Sequence, residues 1–202
     1  MEKSNSPHIR FKGFTEPWEQ RKLDVIFETI TDFVAAGSFA DMAENVKYYS
    51  EPNYAQLVRT TDLKANFKNS DFVYVDKKGF DFLWRVNLDT DCIIMPNIGN
   101  CGEIYAISKG KLPYKNNVLG PNAIYLNSKS SFIFYLSNSL KTDDFQNKLK
   151  NIISPNGQTK FNKTDLKKLT ISLPIFTEQK RIGILFDKLD SLITLHQRKC
   201  DR

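Results

Sequence analysis

The closing stretch of the chain, PIFTEQKRIGILFDKLDSLITLHQRK from Pro174 onward, carries an apolar repeat that constrains the whole architecture. Its apolar residues recur at spacings of three and four, which places them on one side of an α-helix: Ile182, Leu185, Leu189 and Leu192. At ~1.5 Å per residue, such a helix would extend about 38 Å, longer than most helices that only cover a domain of this size. We therefore predict a globular domain over residues 1–175, followed by a long amphipathic helix over residues 176–202.

The apolar seam of this helix needs a partner, and the sequence leaves two candidates open. A short amphipathic helix usually packs on its own domain. A seam of this length also fits a helix–helix interface, although strict heptad spacing lasts for barely two repeats, fewer than a coiled coil requires. His196 and Lys199 continue the register as polar residues, so the sequence does not choose between the two partners.

The rest of the chain combines strand and helix patterns. Short apolar runs bounded by turn residues predict strands within residues 56–63, 72–75, 92–95, 103–107, 122–126 and 169–173. An apolar face over residues 130–153 predicts a helix or a pair of helices. Pro17 suits the first turn of a short helix, residues 37–52 resemble an irregular loop, and residues 77–79 a turn. The sequence therefore predicts a mixed α/β (α+β) fold, with a twisted mixed sheet and flanking helices.

Composition narrows the class of protein. With 202 residues, the chain can bury a core without disulfides or metals. Its net charge of +6 favours polyanions by long-range attraction, but it identifies none. No apolar run is long enough to span a membrane, and the polar start lacks the core of a signal peptide, so we predict a cytoplasmic protein without a membrane partner. Cys92, Cys101 and Cys200 form no C-x-x-C pair, so neither a zinc site nor a disulfide framework is indicated.

Asparagine stands beside lysine in several loops, such as KNNV, NGQTK and FNKT. Amide side chains can read base edges with two hydrogen bonds while lysines hold phosphates, which is the division of labour in a sequence-reading interface. Solvent-exposed turns rich in Asn and Lys would give the same composition, and composition alone favours that simpler interpretation.

No catalytic arrangement is recognisable. Metal-dependent nucleases use an Asp, a Glu and a Lys two residues after the Glu. Asp91 and Glu103 could supply the two carboxylates, but Tyr105 occupies the position of the lysine. The loop PNIGNCG fits neither the dinucleotide-binding nor the P-loop pattern. The two histidines, His8 and His196, lie at opposite ends of the chain. We therefore predict a binding protein with no catalytic residue, metal or cofactor.

A combination of four segments carries a family resemblance. These are IRFKGFTEPWEQRKL near the start, DCIIMPNIGNCGEI in the middle, and NGQTKFNKTDLKKLTISLP and EQKRIGILFDKLD towards the end. Together they resemble the DNA specificity (S) subunit of type I restriction-modification systems over nearly the whole chain. The late Gly-x-Thr loop and the closing pattern of Leu-Pro, Glu-Gln and spaced Ile and Leu are the most specific part.

The resemblance implies a target recognition domain that reads one half of a bipartite double-stranded DNA site, followed by a conserved-region helix. Two such helices pack antiparallel as a spacer and dock the methyltransferase (modification) and restriction subunits, which carry the catalysis. This implies that Ile182, Leu185, Leu189 and Leu192 form a helix–helix interface. The resemblance implies that a full specificity subunit has two recognition domains and two helices in one chain, whereas this sequence contains one domain and one helix. We therefore expect a natural half-subunit or a truncated form, and a half-subunit could rebuild the two-fold arrangement as a homodimer.

The expected DNA contacts are polar side chains in loops: Arg59, Asn97, Asn100, Lys115, Asn116, Asn117, Gln158, Thr159, Lys160 and Asn162. Capping of turns is the competing role for these side chains. The alternative function is an assembly protein, a truncated specificity subunit that binds other subunits without specific DNA binding of its own. The recognised base sequence and the oligomeric state do not follow from the sequence.

Overall fold

Strands and helices alternate along residues 7, 9–154 and 159–200, the part of the chain that the computed structural model describes. The strands are β1 Glu19–Lys22, β2 Thr29–Asp32, β3 Ala55–Val58, β4 Val73–Val75, β5 Cys92–Pro96, β6 Tyr105–Ile107, β7 Asn117–Leu119, β8 Ala123–Asn127 and β9 Thr170–Leu173. The α-helices are α1 Leu23–Ile26, α2 Phe39–Asn45, α3 Thr60–Lys64, α4 Lys77–Phe82, α5 Ile133–Lys141, α6 Asp143–Lys150, α7 Lys163–Lys168 and α8 Phe176–Cys200. Two 3-10 helices, Phe33–Ala36 and Trp84–Val86, complete this part. The predicted mixed α/β class is confirmed.

The described strands divide among three sheets instead of forming one. The largest has the order β2-β8-β5-β6 and is antiparallel throughout. The second has the order β4-β3-β7, in which β3 and β7 are parallel. The third pairs β1 with β9 and so joins the N-terminal part of the chain to the strand just before α8.

Strand β5 lies between two hydrophobic cores, which explains its continuous apolar sequence. Successive side chains of a strand point to opposite faces of the sheet. Ile93 and Met95 pack into one core with α5 and α6, while Cys92 and Ile94 pack into the other with β3 and β7. All five residues of β5 are buried, so the loop that follows this strand starts from a fixed position.

The first turns of α8 are packed on the domain, and Asp187 and Asp190 further along still line a cleft with residues of α5. Glu178 is fully buried and accepts two hydrogen bonds from Arg10, at 2.9 and 2.6 Å. The buried Gln179 accepts a hydrogen bond from the Phe132 backbone N–H at 3.0 Å. Helix α8 therefore starts from a defined orientation.

The predicted seam is covered at its start and open beyond it. Ile182 is half-buried and packs against the core beside α5. The side chains further along remain 42–62% exposed, namely Leu185, Leu189 and Leu192 together with Ile184, Phe186 and Ile193. Leu185 and Phe186 still line a cleft with the N-terminal segment, so the domain covers this seam only in part.

Three local predictions were wrong. The segment after Pro17 is strand β1, because pairing with β9 outweighs the weak preference of a short helix. Part of the predicted loop at 37–52 is helix α2, which begins with a capping box between Ser38 and Asp41. Residues 77–79 start helix α4 instead of a turn, because Asp76 accepts a hydrogen bond from the Gly79 N–H and caps the helix.

None of the helices in the described ranges combines the length and the hydrophobicity that crossing a bilayer requires.

Candidate nucleic-acid interface

Five of the predicted contact residues come together in one surface, which we call the amide patch: Asn97, Asn100, Thr159, Lys160 and Asn162. The loop after β5 lies along the segment that precedes α7, although about 60 residues of chain separate them. The Gly99 N–H donates to the Thr159 carbonyl at 2.9 Å, and the Thr159 hydroxyl donates to the Gly99 carbonyl at 2.7 Å. Gly99 has φ +81°, a conformation that favours glycine, so the loop turns where it meets Thr159.

The same two segments are joined again on either side of Thr159. The Phe161 N–H donates to the Asn97 carbonyl at 3.1 Å, and Ile98 and Lys160 form an isolated antiparallel bridge. The Lys160 carbonyl also accepts from the Ser154 N–H at 2.9 Å. The backbone of Lys160 is therefore fixed while its side chain remains exposed, and the exposed Asn100 follows the bound Gly99.

Asn162 caps a helix, as the sequence suggested for these polar side chains, and its side chain is exposed. Its side chain accepts a hydrogen bond from the Asp165 N–H at 2.8 Å and so caps α7. Its amide nitrogen donates to the Asp165 carboxylate at 2.8 Å. Hydrogen bonds from Lys168 and Asn162 lower the pKa of Asp165. The exposed Asn162 side chain therefore has one N–H and one oxygen lone pair left for a ligand.

The turn between β7 and β8 joins the amide patch and adds a residue that the sequence did not suggest, Asn122. The Asn122 carbonyl accepts from the Asn97 N–H at 3.1 Å, and the Gly120 N–H donates to the Val58 carbonyl at 2.8 Å. Asn122 is exposed and has φ +68°, a conformation that asparagine tolerates better than most residues. The Gly-Pro-Asn sequence of the turn was the signal that could have identified it.

Arg59 follows β3 and precedes α3, its side chain lies beside Gly120 of the turn between β7 and β8, and its charge is already paired. Its guanidinium donates to Asp62 at 2.7 and 3.2 Å and reaches the Asp71 carboxylate at 3.3 Å. Asp62 is fully buried and also accepts from the Asn69 side chain at 2.6 Å. The hydrogen bond with Asp62 raises the pKa of Arg59. Arg59 thus stabilises the start of α3, and only about a quarter of its side chain is exposed.

Lys115, Asn116 and Asn117 stand at the start of β7, at the opposite end of the short parallel pair from Arg59. Asn116 donates to the Tyr54 carbonyl at 3.0 Å, and the buried Asn117 donates to the Tyr114 carbonyl at 2.7 Å. Lys115 is exposed. These amides hold the loop on which Lys115 is exposed. A contact of this loop with DNA stays a prediction. Gln158 lies outside the described residues.

Asp91 and Glu103, the two carboxylates of the nuclease-like pattern, are both engaged in hydrogen bonds within the fold. The Asp91 carboxylate accepts from the Lys109 N–H at 2.8 Å, and Glu103 accepts from the Tyr105 hydroxyl at 2.6 Å. Burial raises the pKa of the Cys92 thiol to about 12 and also raises that of Cys101, so both thiols are protonated near neutral pH. In the described part of the chain, no group of three or more His, Cys, Asp or Glu residues could hold a metal ion.

Sequence comparison gives one family and no curated relative. A family model described as the type I restriction modification DNA specificity domain matches residues 15–202. No curated protein matches the sequence.

Several solved structures share the fold. The HsdS subunit from Thermoanaerobacter tengcongensis has a TM-score of 0.60 at 14% identity, covering 96% of this chain and 42% of the subunit. The S subunit of a Type-I restriction-modification system from M. genitalium has a TM-score of 0.56 at 17% identity, covering 96% and 46%. A chain from a structural study of complex assembly and conformational transition of the type I R-M system has a TM-score of 0.61 at 16% identity, covering 96% and 43%. This chain therefore spans less than half the length of these three.

Proposed function

Because the chain belongs to the family of type I restriction modification DNA specificity domains, we propose that it reads one half of a bipartite site in double-stranded DNA. The amide patch is the observation that carries this proposal. It places two exposed amides, Asn100 and Asn162, and the exposed Lys160 on two segments that backbone hydrogen bonds join. Amides that face a groove can distinguish bases, while a lysine beside them binds phosphate.

Within the amide patch, Lys160 and Asn162 should make different kinds of contact with DNA. Replacing Lys160 with glutamine should weaken binding to all duplexes about equally and reduce the salt dependence, because a phosphate contact carries no sequence information. Replacing Asn162 with serine should instead cost about 1–3 kcal/mol of discrimination at one base pair, because serine loses the paired amide contacts. Fluorescence anisotropy against the preferred site and against single-base variants of it would measure both effects.

Serine is the matched choice at position 162 because it also caps helices well. Asn162→Ser should leave thermal stability nearly unchanged, whereas Asn162→Ala should lose about 1 kcal/mol of stability through the missing cap. If Asn162→Ser keeps full base discrimination, capping is the role of Asn162 and the base contact is disproved.

The chain acts, in this proposal, without chemistry of its own and directs methyltransferase and restriction subunits to the site. Incubating the purified protein with duplex DNA and Mg²⁺ should leave the DNA intact. Cleavage that turns over many duplexes per protein would contradict this part of the proposal.

The exposed stripe of α8, formed by Leu185, Leu189 and Leu192, is the proposed assembly surface. Its residues are 42–62% exposed and stand on a helix whose first turns are fixed to the domain. A contiguous apolar stripe of this kind marks an interaction surface. We propose that the helix over residues 176–202 is the spacer and pairs antiparallel with a second such helix, from another copy of this chain when no second set is present. A homodimer of this kind predicts a palindromic, interrupted target site.

Replacing Leu189 and Leu192 together with lysine should abolish the dimer, because two charges would then face an apolar interface. Sedimentation velocity should give a concentration-dependent dimer for the natural chain and a monomer for the double variant. As a control, Asp187→Lys with Lys188→Asp alters two exposed residues of the same helix and keeps the net charge. A natural chain that stays monomeric at 100 µM, an order-of-magnitude upper limit for useful self-association, would disprove the homodimer.

A further inference from the structure

An apolar cleft opens directly beside the amide patch. Its volume is about 380 Å³. One wall comes from the 3-10 helix before α2, from α2 itself and from the segment after it, and the other from the turns on either side of Asn97 and Asn122. We define the apolar cleft by six of its lining residues: Val34, Phe39, Tyr48, Ile98, Pro121 and Asn122.

The rim of the cleft exposes apolar side chains to solvent. Val34 is 54% exposed, Phe39 87% and Tyr48 57%. Phe39 is the first residue of α2, and the side chain of Ser38 caps that helix through the Asp41 N–H at 3.2 Å. Contact with an apolar ligand group would remove these side chains from water, which lowers the free energy of the complex.

Asn122 adds an unused amide to the same wall. Its backbone is fixed by the hydrogen bond from the Asn97 N–H. Its side chain is exposed and makes no hydrogen bond to the described residues. The amide therefore has both its oxygen and its nitrogen available to one ligand edge.

The charge of the cleft suits a neutral group that lies close to phosphates. The carboxylate on its wall, Asp32, is bound by the Lys163 ammonium at 2.8 Å and by the Ala35 N–H at 3.1 Å. With that charge compensated, the cleft does not repel DNA. Asn97 of the amide patch also lines the cleft, so the two surfaces are continuous.

We propose that the apolar cleft and Asn122 together read one A·T base pair in the major groove, an inference that rests on the proposed function. Thymine presents its C5-methyl group there, and the paired adenine presents N7 as an acceptor and its N6 amino group as a donor. The cleft receives the methyl group. The Asn122 amide donates to N7 and accepts from the amino group. A guanine at this position would meet no arginine or lysine among the defining residues of the cleft.

The test uses base analogues that each remove one group. The preferred site is first selected from random duplexes, and each thymine is then replaced by deoxyuridine, which lacks only the methyl group. One position should lose about fourfold in affinity, the value of one buried methyl group. At the paired adenine, 7-deazaadenine removes N7 and should lose at least about fivefold.

Variants assign each loss to its side chain. Val34→Ala with Phe39→Ala should bind the thymine and deoxyuridine duplexes equally, and Asn122→Gly should be indifferent to 7-deazaadenine while keeping the positive φ. Trp84→Ala removes another exposed aromatic residue, 64% exposed and outside the cleft lining, and should keep both effects. All these positions are exposed, so the variants should melt at nearly the natural temperature.

The outcomes separate the two proposals. If a specific site is selected but every deoxyuridine and deazaadenine is tolerated, or if the cleft variants keep the losses, the A·T reading is wrong and the DNA-reading function stands. A selected site without any A·T pair overturns it as well. If no site is selected at all, the proposed function fails and this inference fails with it.

Discussion

Replacing Arg59 with methionine is expected to lower the free energy of unfolding by about 3–5 kcal/mol. Its partner Asp62 is fully buried, and methionine would leave that carboxylate without its countercharge. The backbone N–H of residue 59 and the Asn69 side chain would still bind it, at 2.8 and 2.6 Å, but they do not compensate the charge. Chemical denaturation followed by circular dichroism would measure the change.

Two controls identify the buried charge as the cause. Arg59→Met combined with Asp62→Asn removes both charges and should recover most of the loss. Arg21→Met breaks an exposed pair with Glu19, whose side chains are 51% and 64% exposed, and should cost less than about 1 kcal/mol. A single Arg59→Met variant as stable as Arg21→Met would contradict the structural role. The double variant also allows the predicted DNA contact of Arg59 to be tested in a folded protein.

Replacing Gly183 with valine is expected to lower the free energy of unfolding by about 1–3 kcal/mol and to detach the start of α8 from α5. A Cβ atom at this position would lie 2.7 Å from the Phe132 ring and 2.9 Å from the Tyr135 backbone nitrogen. The Phe132 ring is half-buried and the Tyr135 nitrogen belongs to the backbone of α5, so the added side chain would displace α8 from α5. Differential scanning calorimetry gives the stability, and hydrogen exchange of residues 176–183 reports the detachment.

Lys188→Val is the matched control, because it places the same β-branched side chain on an exposed position of the same helix. It should cost less than about 1 kcal/mol. A Gly183→Val variant with the stability and exchange of Lys188→Val would show that the close approach of α8 and α5 is not needed to orient the helix.

The sequence predicted the elements whose pattern is strong and local. The seam of α8 was visible because four apolar residues keep a helical spacing, and β5 because an apolar run is bounded by turn residues. Helix α2 was missed although its Ser38 to Asp41 capping box is legible, because the segment has no apolar face that is buried: none of its residues is buried in the structure. Strand β1 has four exposed residues and exists only because β9 pairs with it, so no local signal could indicate it.

The sequence predicted the individual residues of the amide patch but not that they lie together in one surface. Its two segments are brought together by hydrogen bonds between Gly99 and Thr159 and between Asn97 and Phe161, and contacts at this sequence separation leave no periodicity to read. Asn122 was missed for the same reason, since its place beside Asn97 depends on the pairing of β8 with β5. The predicted contacts at Arg59 and at Lys115, Asn116 and Asn117 rest on residue type alone: Arg59 lies beside Gly120 with its charge paired, and the other three stand at the opposite end of β7.

The most direct test of the central claim, that this chain reads duplex sequence, is selection of bound DNA from a random duplex pool at increasing salt. We expect affinity to fall steeply with salt, because lysine–phosphate contacts release counterions, while one short motif stays enriched at every concentration. An enriched motif that disappears in the Asn162→Ser variant but survives Lys160→Gln would tie the reading to the amide patch. A bound pool that remains random in sequence, however tightly the natural chain holds it, would contradict the claim.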